Sequence, residues 1–346
     1  MPRRHLRQRA GHALGALAFS PTDDSPQAQR WRADPDLHVA WSIFGSAAWG
    51  SNSLYKHSDR RVMLTPGQEN HSISLSELAL AFEVGLGPLS IRRSIDAGIG
   101  ISWYGVYTQQ SVTDSATLHE LLWAVQPALM IEIGTFCGGS AIFFARTMMG
   151  YNPHARVLTI DRTSSASRRA ACRSAGWAKN HGLSGFESNH WSELVKSRHI
   201  VPIVGQPDSP ALVNRLAKEV ASAGGAVFVC DDSDHLAGPV LAHFAALSRF
   251  VSPGGFYIVQ DTRLDADCAY AMITSRLATD HWCRSVLRNG GAAAAVANIT
   301  RSPSFARDWV QDRSVEKWVV TQHPGGYLRR RKEPTAAEPA TPTASN

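Results

Sequence analysis

Between Ser115 and Lys332, short apolar runs alternate with longer stretches in which apolar residues recur at helical spacing. Five of the short runs have the length of buried strands: ALMIEIG, ARVLTID, HIVPIVG, GAVFVCDDSDH and GGFYIVQDT. The stretch ATLHELLWAVQ precedes the first run, and a helix-length segment follows each of the first four. Strands that alternate with helices of about a dozen residues are typical of βαβ units. Because βαβ crossovers are right-handed, the pattern predicts an α/β, Rossmann-like doubly wound sheet that is mostly parallel.

The two ends of the chain depart from this alternation. The runs EKWVVTQ and YLRRR flank HPGG, which predicts a C-terminal antiparallel hairpin after the parallel strands. Residues 1–36 and 333–346 contain few core residues and are predicted to be disordered tails. Residues 37–100 are predicted to form an N-terminal arm or cap, in which SLSELALAFEVG is a short helix capped by Ser74. Residues 101–332 then form the main domain.

Composition restricts the class of protein. The chain has 346 residues, of which 44% are hydrophobic, enough for one large α/β domain with appendages or for two smaller domains. No stretch approaches the roughly 18 uninterrupted apolar residues of a membrane span. The five cysteines are an odd number without CxxC spacing, which argues against a disulfide framework and a thiolate zinc site. A reducing, cytoplasmic location is therefore expected, with an organellar transit peptide at the Arg-rich N-terminus as the alternative.

The positive charge of the chain is concentrated at its ends. The formal net charge is +6, and the first 22 residues carry Arg3, Arg4, Arg7 and Arg9 without any acid. The run RRRK at 329–332 adds four positive charges near the other end. We interpret both runs as solvated ends, because the segment between them shows no basic–aromatic interleaving of a nucleic-acid surface. A nucleic-acid partner is not expected.

A glycine-rich loop, EIGTFCGGS, follows the first parallel strand. In an open parallel sheet, ligands bind beyond the carboxyl ends of the strands, and glycines let a ligand approach the main chain. The next strand ends in Asp161, whose carboxylate can accept hydrogen bonds from a ribose diol. The two features predict a site for an adenosine-containing ligand. The alternative is a tight strand-to-helix turn that binds nothing.

The charge beside this loop favours one adenosine ligand over another. The spacing G-x-x-x-G-G differs from GxGxxG, which sets a helix N-terminus against a pyrophosphate. Glu132, immediately before the turn, would repel a phosphate and suits the ammonium and sulfonium groups of S-adenosylmethionine. We therefore favour S-adenosylmethionine over NAD. The predicted donor-binding residues are Glu132, Gly134, Thr135, Gly138, Gly139, Ser140, Asp161 and Arg162.

Acidic residues end the fourth and fifth strands, in the runs Asp231–His235 and Gln260–Thr262. Clustered like charges are costly unless a cation neutralises them, and oxygen ligands suit Mg²⁺. The predicted metal ligands are Asp232, Gln260 and Asp261, and the alternative is that the acids cap helices. His235 lies three residues after Asp232 and is the candidate general base, because an imidazole titrates near working pH. The alternative for His235 is a core or capping histidine.

Six motifs in this order give the chain a family resemblance over residues 103–332. They are WYGVYTQQ, LMIEIGTFCGGSAIFFA, RVLTIDR, DDSDH, VSPGGFYIVQDT and DRSVEKWVVTQHPGGYLRRR. The set resembles the cephalosporin hydroxylase/rhamnosyl O-methyltransferase family, within the class I S-adenosylmethionine-dependent methyltransferases. The resemblance implies that Glu132, Gly134 and Asp161 hold the methyl donor. It also implies that Asp232 is a metal ligand and His235 a base.

At one position the sequence departs from this pattern. Related sugar and macrolide O-methyltransferases carry an adjacent Glu-Asp pair after the fifth strand, and here Gln260 stands in place of the glutamate. The amide oxygen can ligate a metal, but one negative charge is lost, so we expect weaker metal binding. Asp231 and Asp234 are candidates to compensate.

The expected protein is an S-adenosylmethionine-dependent O-methyltransferase that acts on a hydroxyl of a small molecule or glycoside with the help of Mg²⁺. Trp103, Tyr104 and Gln109 are candidates for the acceptor pocket. One alternative, favoured by Gln260, is a non-catalytic donor-binding protein of a biosynthetic complex. A second alternative is an RNA methyltransferase. A hydroxylase, suggested only by the name of the family, is not supported, because the sequence shows no iron-binding pattern. The sequence leaves a homo-oligomer open.

Overall fold

The computed structural model describes residues 61–63, 72–74, 101–174, 185–266, 268, 281–316 and 321–333. The chain forms two compact units, of which the first comprises Met1–Ile91 and Asp265–Arg288 and the second comprises the remainder. In the first unit, β1 (Arg61–Met63) pairs antiparallel with β2 (Ser72–Ser74). Ser74 thus ends a strand, and residues 75–85 of the predicted helix lie outside the described residues, as do residues 1–36 and 334–346.

Between residues 112 and 259 the order of strands and helices follows the predicted alternation. The strands are β3 (Ile101–Trp103), β4 (Val106–Thr108), β5 (Leu129–Ile133), β6 (Arg156–Asp161), β7 (Ile200–Val204), β8 (Val227–Asp231), β9 (Phe256–Val259), β10 (Trp309–Gln311) and β11 (Tyr327–Arg330). The helices are α1 (Val112–Val125), α2 (Gly139–Met149), α3 (Ser165–Ser174), α4 (Asn189–Lys196), α5 (Pro210–Ala221), α6 (Ala237–Leu247), α7 (His281–Asn289), α8 (Ala292–Thr300) and α9 (Pro303–Asp308). All five runs expected to form parallel strands do so.

The second unit is built on a seven-stranded sheet in the order β10-β11-β9-β8-β5-β6-β7. The five strands from β9 to β7 are parallel, and β11 is antiparallel to both of its neighbours. The chain leaves β5 towards β6 on one side and later returns to β8 on the other. The switch point therefore lies between β5 and β8, where a doubly wound sheet opens a crevice at its carboxyl edge. The predicted Rossmann-like fold is confirmed.

Burial on both faces explains why the central strands read as nearly continuous apolar runs. All residues of β5, β8 and β9 are buried, as expected of parallel strands covered by helices on both sides. Residues of α1, α2 and α4 pack in one hydrophobic cluster with one face of the sheet. Residues of α5, α6 and α8 pack in a second cluster with the opposite face.

The antiparallel end of the sheet is present, but a different segment pairs with β11. The strand β10 supplies the outer partner, with Gln311 opposite Leu328, whereas residues 317–320 of the run EKWVVTQ lie outside the described residues. The interpretation of RRRK as solvated charge is wrong for its first three residues. Arg329 donates to Asp312 over 2.7 Å, Arg330 donates to the Val251 carbonyl over 2.6 Å, and Arg331 donates to the Trp309 carbonyl over 3.1 Å.

Four cysteines form disulfides, so the expectation that none would form was wrong. Cys137 is bonded to Cys172, and Cys268 to Cys283, while the fifth, Cys230, is free and buried. Sequence spacing gave no sign of the first pair, because its partners lie 35 residues apart on the loop before α2 and on α3. Within the described parts of the chain, none of the helices has the length and apolar character needed to cross a membrane.

Candidate functional site

The glycine-rich loop between β5 and α2 packs tightly against the protein itself. Gly134 has a φ of +95°, and a Cβ added there would lie 2.0 Å from the carbonyl oxygen of Asp232. A Cβ on Gly139 would lie 2.0 Å from the carbonyl oxygen of Tyr107. These glycines are therefore required by the close approach of the β8 loop and of β4. Their predicted contact with a methyl donor stays a prediction.

Glu132 is a buried carboxylate at the end of β5. Burial raises its pKa to about 7, while the nearby hydroxyls of Ser140 and Thr159 act to lower the pKa and Asp161 adds to the rise. The two hydroxyls lie outside hydrogen-bonding geometry, so neither carboxylate oxygen has a hydrogen-bond partner among the described residues. A cation beside Glu132 would stabilise its charged form. The position therefore suits the ammonium group of an amino acid.

Asp161, at the end of β6, is held by residues that the sequence had not singled out. Arg168 of α3 donates to its Oδ1 over 2.7 Å, and the Thr163 backbone N–H donates to the same oxygen over 3.0 Å. Burial acts to raise the pKa of Asp161. The hydrogen bond and charge of Arg168, together with the hydrogen bonds from Thr163, outweigh burial and lower the pKa overall. Oδ2 accepts only a 3.3 Å bond from the Thr135 backbone N–H and keeps acceptor capacity for a ligand.

A small cleft lies beside Asp161. Its walls include Thr135, Asp161, Arg168 and Val204. Arg162 is not part of this lining, because its guanidinium is largely exposed and lies 3.9 Å from Asp234. Ser140 stands in the first turn of α2, close to the Glu132 carboxylate. The structure thus places most of the predicted donor-binding residues at the carboxyl ends of β5 and β6. Arg162 faces Asp234, in the loop after β8.

Asp232, His235 and Asp261 converge beyond the ends of β8 and β9. His235 Nε2 lies 3.8 Å from Asp232 Oδ1 and 3.7 Å from Asp261 Oδ2, and one ligand atom from each residue fits within 4.8 Å of the others. His235 and Asp261 both have left-handed backbone conformations, with φ of +58° and +55°. Such conformations are rare outside glycine and cluster at functional sites.

The electrostatics of this cluster fit a divalent cation. The pKa of Asp232 is raised well above its usual value, first by burial and then by the charges of Asp261, Glu132 and Asp231. A bound cation would offset this repulsion, and carboxylate oxygens are ligands that Mg²⁺ and Mn²⁺ prefer. Asp232 and Asp261 therefore fit the predicted magnesium site.

Gln260 is engaged elsewhere. Its Oε1 accepts a hydrogen bond from Gln110 Nε2, and its Nε2 donates to Cys230 Sγ over 2.8 Å. Both ends of the amide are thus held by the protein, which fixes the side chain and leaves one lone pair of its oxygen for any other partner. Gln110 lies two residues after the end of β4, and no spacing in the sequence marked it as a partner of a residue 150 positions away.

The two acids considered as substitutes for the missing glutamate do not join the cluster. Side chains alternate between the faces of a strand, so Asp231 faces α6. It accepts hydrogen bonds from His243 Nδ1 of α6 and from the Tyr257 hydroxyl of β9, each over 3.1 Å. Burial acts to lower the pKa of His243, but the bond and charge of Asp231 raise it overall. Asp234 faces Arg162 instead.

The acceptor candidates near β3 and β4 show mixed environments. The Trp103 ring packs 5.1 Å from the Phe143 ring, between centroids, and joins the hydrophobic core. Tyr104 is 58% exposed and lies 5.4 Å from the His190 ring, and Gln109 is exposed. Their role in binding an acceptor stays a prediction.

The chain is similar to curated rhamnosyl O-methyltransferases. Among curated relatives, the rhamnosyl O-methyltransferase of Mycobacterium leprae is 27% identical over 173 residues, covering 47% of this chain and 61% of the relative. The chain thus spans less than two thirds of that relative. The rhamnosyl O-methyltransferase of Mycobacterium bovis (strain BCG / Pasteur 1173P2) is 26% identical over 230 residues, covering 66% and 78%.

The chain is also similar to solved structures, at low sequence identity. A CmcI structure with Mg and SAM aligns with a TM-score of 0.41 and 15% identity, covering 68% of this chain and 77% of that chain. The MycE methyltransferase of the mycinamycin biosynthetic pathway, in complex with Mg and SAH, aligns with a TM-score of 0.37 and 18% identity, covering 66% and 52%. The family profile of Rhamnosyl O-methyltransferase/CmcI matches residues 98–183 and 187–331, most of the chain. The protein belongs to the rhamnosyl O-methyltransferase/CmcI family.

Proposed function

We propose that this protein is an S-adenosylmethionine-dependent O-methyltransferase acting on a hydroxyl of a glycoside or small molecule, assisted by Mg²⁺. The observation that carries the proposal is the convergence of Asp232, His235 and Asp261 beside the buried, unpartnered carboxylate of Glu132. Both lie at the carboxyl edge of the sheet, next to its switch point. The names of the curated relatives favour a glycoside as the acceptor.

The donor would be held at β5 and β6. Glu132 offers a buried negative charge for the amino acid end, and Asp161 Oδ2 offers an acceptor for the ribose diol. Arg168 keeps Asp161 ionised through its 2.7 Å ion pair. This arrangement favours S-adenosylmethionine over NAD, because a pyrophosphate near Glu132 would be repelled.

The acceptor would be activated at β8 and β9. Asp232 and Asp261 would hold Mg²⁺, and His235 would take the proton of the acceptor hydroxyl on Nε2. When bound, S-adenosylmethionine supplies an electrophilic methyl group and Mg²⁺ makes a nearby hydroxyl more acidic. The protein's contribution is chiefly to bring the two reactants into alignment, which can provide several kcal/mol, about 7–11 in favourable cases.

The test is calorimetry with S-adenosylmethionine and NAD, together with Mn²⁺ binding followed by electron paramagnetic resonance. We expect the wild-type protein to bind S-adenosylmethionine and not NAD. Asp232→Asn should weaken Mn²⁺ binding by about 100-fold or more, beyond the 10–100-fold typical of outer-shell changes, and leave donor affinity nearly unchanged. Asp234→Asn is the matched control, because Asp234 faces Arg162. Equal Mn²⁺ affinity in Asp232→Asn and wild type would overturn the metal assignment.

One observation favours a second function, that of a donor-binding auxiliary protein without transfer activity. Gln260 replaces a carboxylate of the family pattern and is bound to Gln110, which lowers the negative charge available to a metal. The same experiment separates the two functions. Wild-type protein that binds S-adenosylmethionine but not Mn²⁺ would favour the auxiliary role.

A further inference from the structure

Asp261 needs a contact from another part of the protein to keep its carboxylate close to Asp232 and His235. Its φ of +55° is unfavourable for a residue with a side chain, and Asp261 lies two residues after the end of β9, with Gln260 between them. A relaxed backbone at this position would redirect the side chain, whose Oδ2 now lies 3.7 Å from His235 Nε2. The surrounding protein must therefore hold the turn in place.

The contact that holds Asp261 comes from a histidine distant in sequence. The backbone N–H of Asp261 donates to Nδ1 of His323 over 2.8 Å, and the His323 side chain is 2% exposed. The backbone N–H of His323 donates to Thr321 Oγ1 over 3.0 Å, and its carbonyl accepts from the Gly326 N–H over 2.8 Å. The backbone of His323 is thus held at both its N–H and its carbonyl, which fixes the position from which the imidazole extends.

The segment that carries His323 is itself anchored to α1. Asp114, in the first turn of α1 and 1% exposed, accepts from the Gln322 backbone N–H over 2.9 Å and from the Thr321 hydroxyl. On the other side, the Thr262 hydroxyl donates to the Pro324 carbonyl over 2.9 Å. The turn after β9 is therefore joined to residues 321–324 immediately beside Asp261.

We propose that His323 is a positioning residue that holds Asp261 in the conformation required for metal binding. The inference rests on the proposed function in that Asp261 is taken as a metal ligand. Because Nδ1 accepts the Asp261 N–H, the proton of the neutral ring lies on Nε2. That atom is buried without a hydrogen-bond partner among the described residues, so His323 acts through Asp261 and not on a substrate.

The test compares two substitutions that differ in where they place an acceptor. In His323→Asn the side-chain oxygen occupies the place of Nδ1 and can accept the Asp261 N–H, whereas in His323→Gln the oxygen lies one carbon further out. The matched control is His199→Asn, because His199 Nδ1 binds the Ala155 carbonyl at the opposite end of β6 and β7. Mn²⁺ binding, S-adenosylmethionine calorimetry and hydrogen exchange of the Asp261 amide are measured in each protein.

We expect His323→Gln to weaken Mn²⁺ binding by about 10–100-fold and to speed exchange of the Asp261 amide. His323→Asn and His199→Asn should remain within about threefold of wild type, as should donor affinity in all variants. Equal losses in His323→Asn and His323→Gln would overturn the proposal, since the effect would then follow from packing alone. Wild-type protein without Mn²⁺ binding would refute the metal assignment, and amide exchange would then decide separately whether His323 holds Asp261.

Discussion

Gly134→Ala tests the close contact between the two halves of the candidate site. The added Cβ would meet the Asp232 carbonyl carbon at 2.8 Å and its oxygen at 2.0 Å, and these are backbone atoms that cannot rotate away. Overpacking of this kind costs about 1–3 kcal/mol. The left-handed backbone at φ +95° costs a side chain about 1–2 kcal/mol more. The expected loss is therefore about 2–5 kcal/mol of unfolding free energy.

Gly224→Ala is the matched control, because Gly224 also has a positive φ, +68°, but a Cβ there would meet nothing within 4 Å. It should cost only the backbone part, about 1–2 kcal/mol. Urea denaturation of wild type and both variants gives the difference directly. Gly134→Ala should also weaken Mn²⁺ binding, since the clash displaces Asp232. If both variants lose the same free energy and bind Mn²⁺ equally, the close approach of the two loops is refuted.

Two further predictions concern buried groups of the same site. Burial raises the pKa of Glu132 from 4.5 to about 7, so without ligand the folded protein binds the carboxyl proton of Glu132 more tightly than the unfolded chain does. The folded state therefore loses stability as the pH rises between these two values, by about 3 kcal/mol in all. Glu132→Gln should remove that loss in denaturation measured at pH 4 and pH 8, and an unchanged pH dependence would contradict the assignment. Replacing Cys137 and Cys172 by serine opens a loop of 35 residues and should lower the unfolding free energy by about 4 kcal/mol. If the double variant is as stable as wild type under oxidising conditions, the disulfide between Cys137 and Cys172 does not form.

The sequence was sufficient for the main features of the fold. Strand-length apolar runs and helical periodicity are local properties, so β5, β6, β7, β8 and β9 were all located. The rule that ligands bind beyond the carboxyl ends of parallel strands also needs no tertiary information. It led to Asp232, His235 and Asp261, which the structure brings together.

The partners of the site residues were decided only by the tertiary structure. Gln260 could ligate a metal by its chemistry alone, yet its oxygen already accepts a hydrogen bond from Gln110, a contact that depends on how the segment after β4 lies against the sheet. Asp231 and Asp232 are neighbours in sequence, but successive side chains at the end of β8 point to opposite faces. Asp231 therefore contacts His243, and only Asp232 lies with His235 and Asp261.

What the sequence determined by itself is the order of the strands and helices and the kind of chemistry at the strand ends, because both follow from residues close together in the chain. The tertiary structure decided the pairing of Cys137 with Cys172, the ion pair of Arg168 with Asp161 and the contact of His323 with Asp261. Each of these joins separate elements, and its geometry exists only after the sheet has set the distance and direction between them.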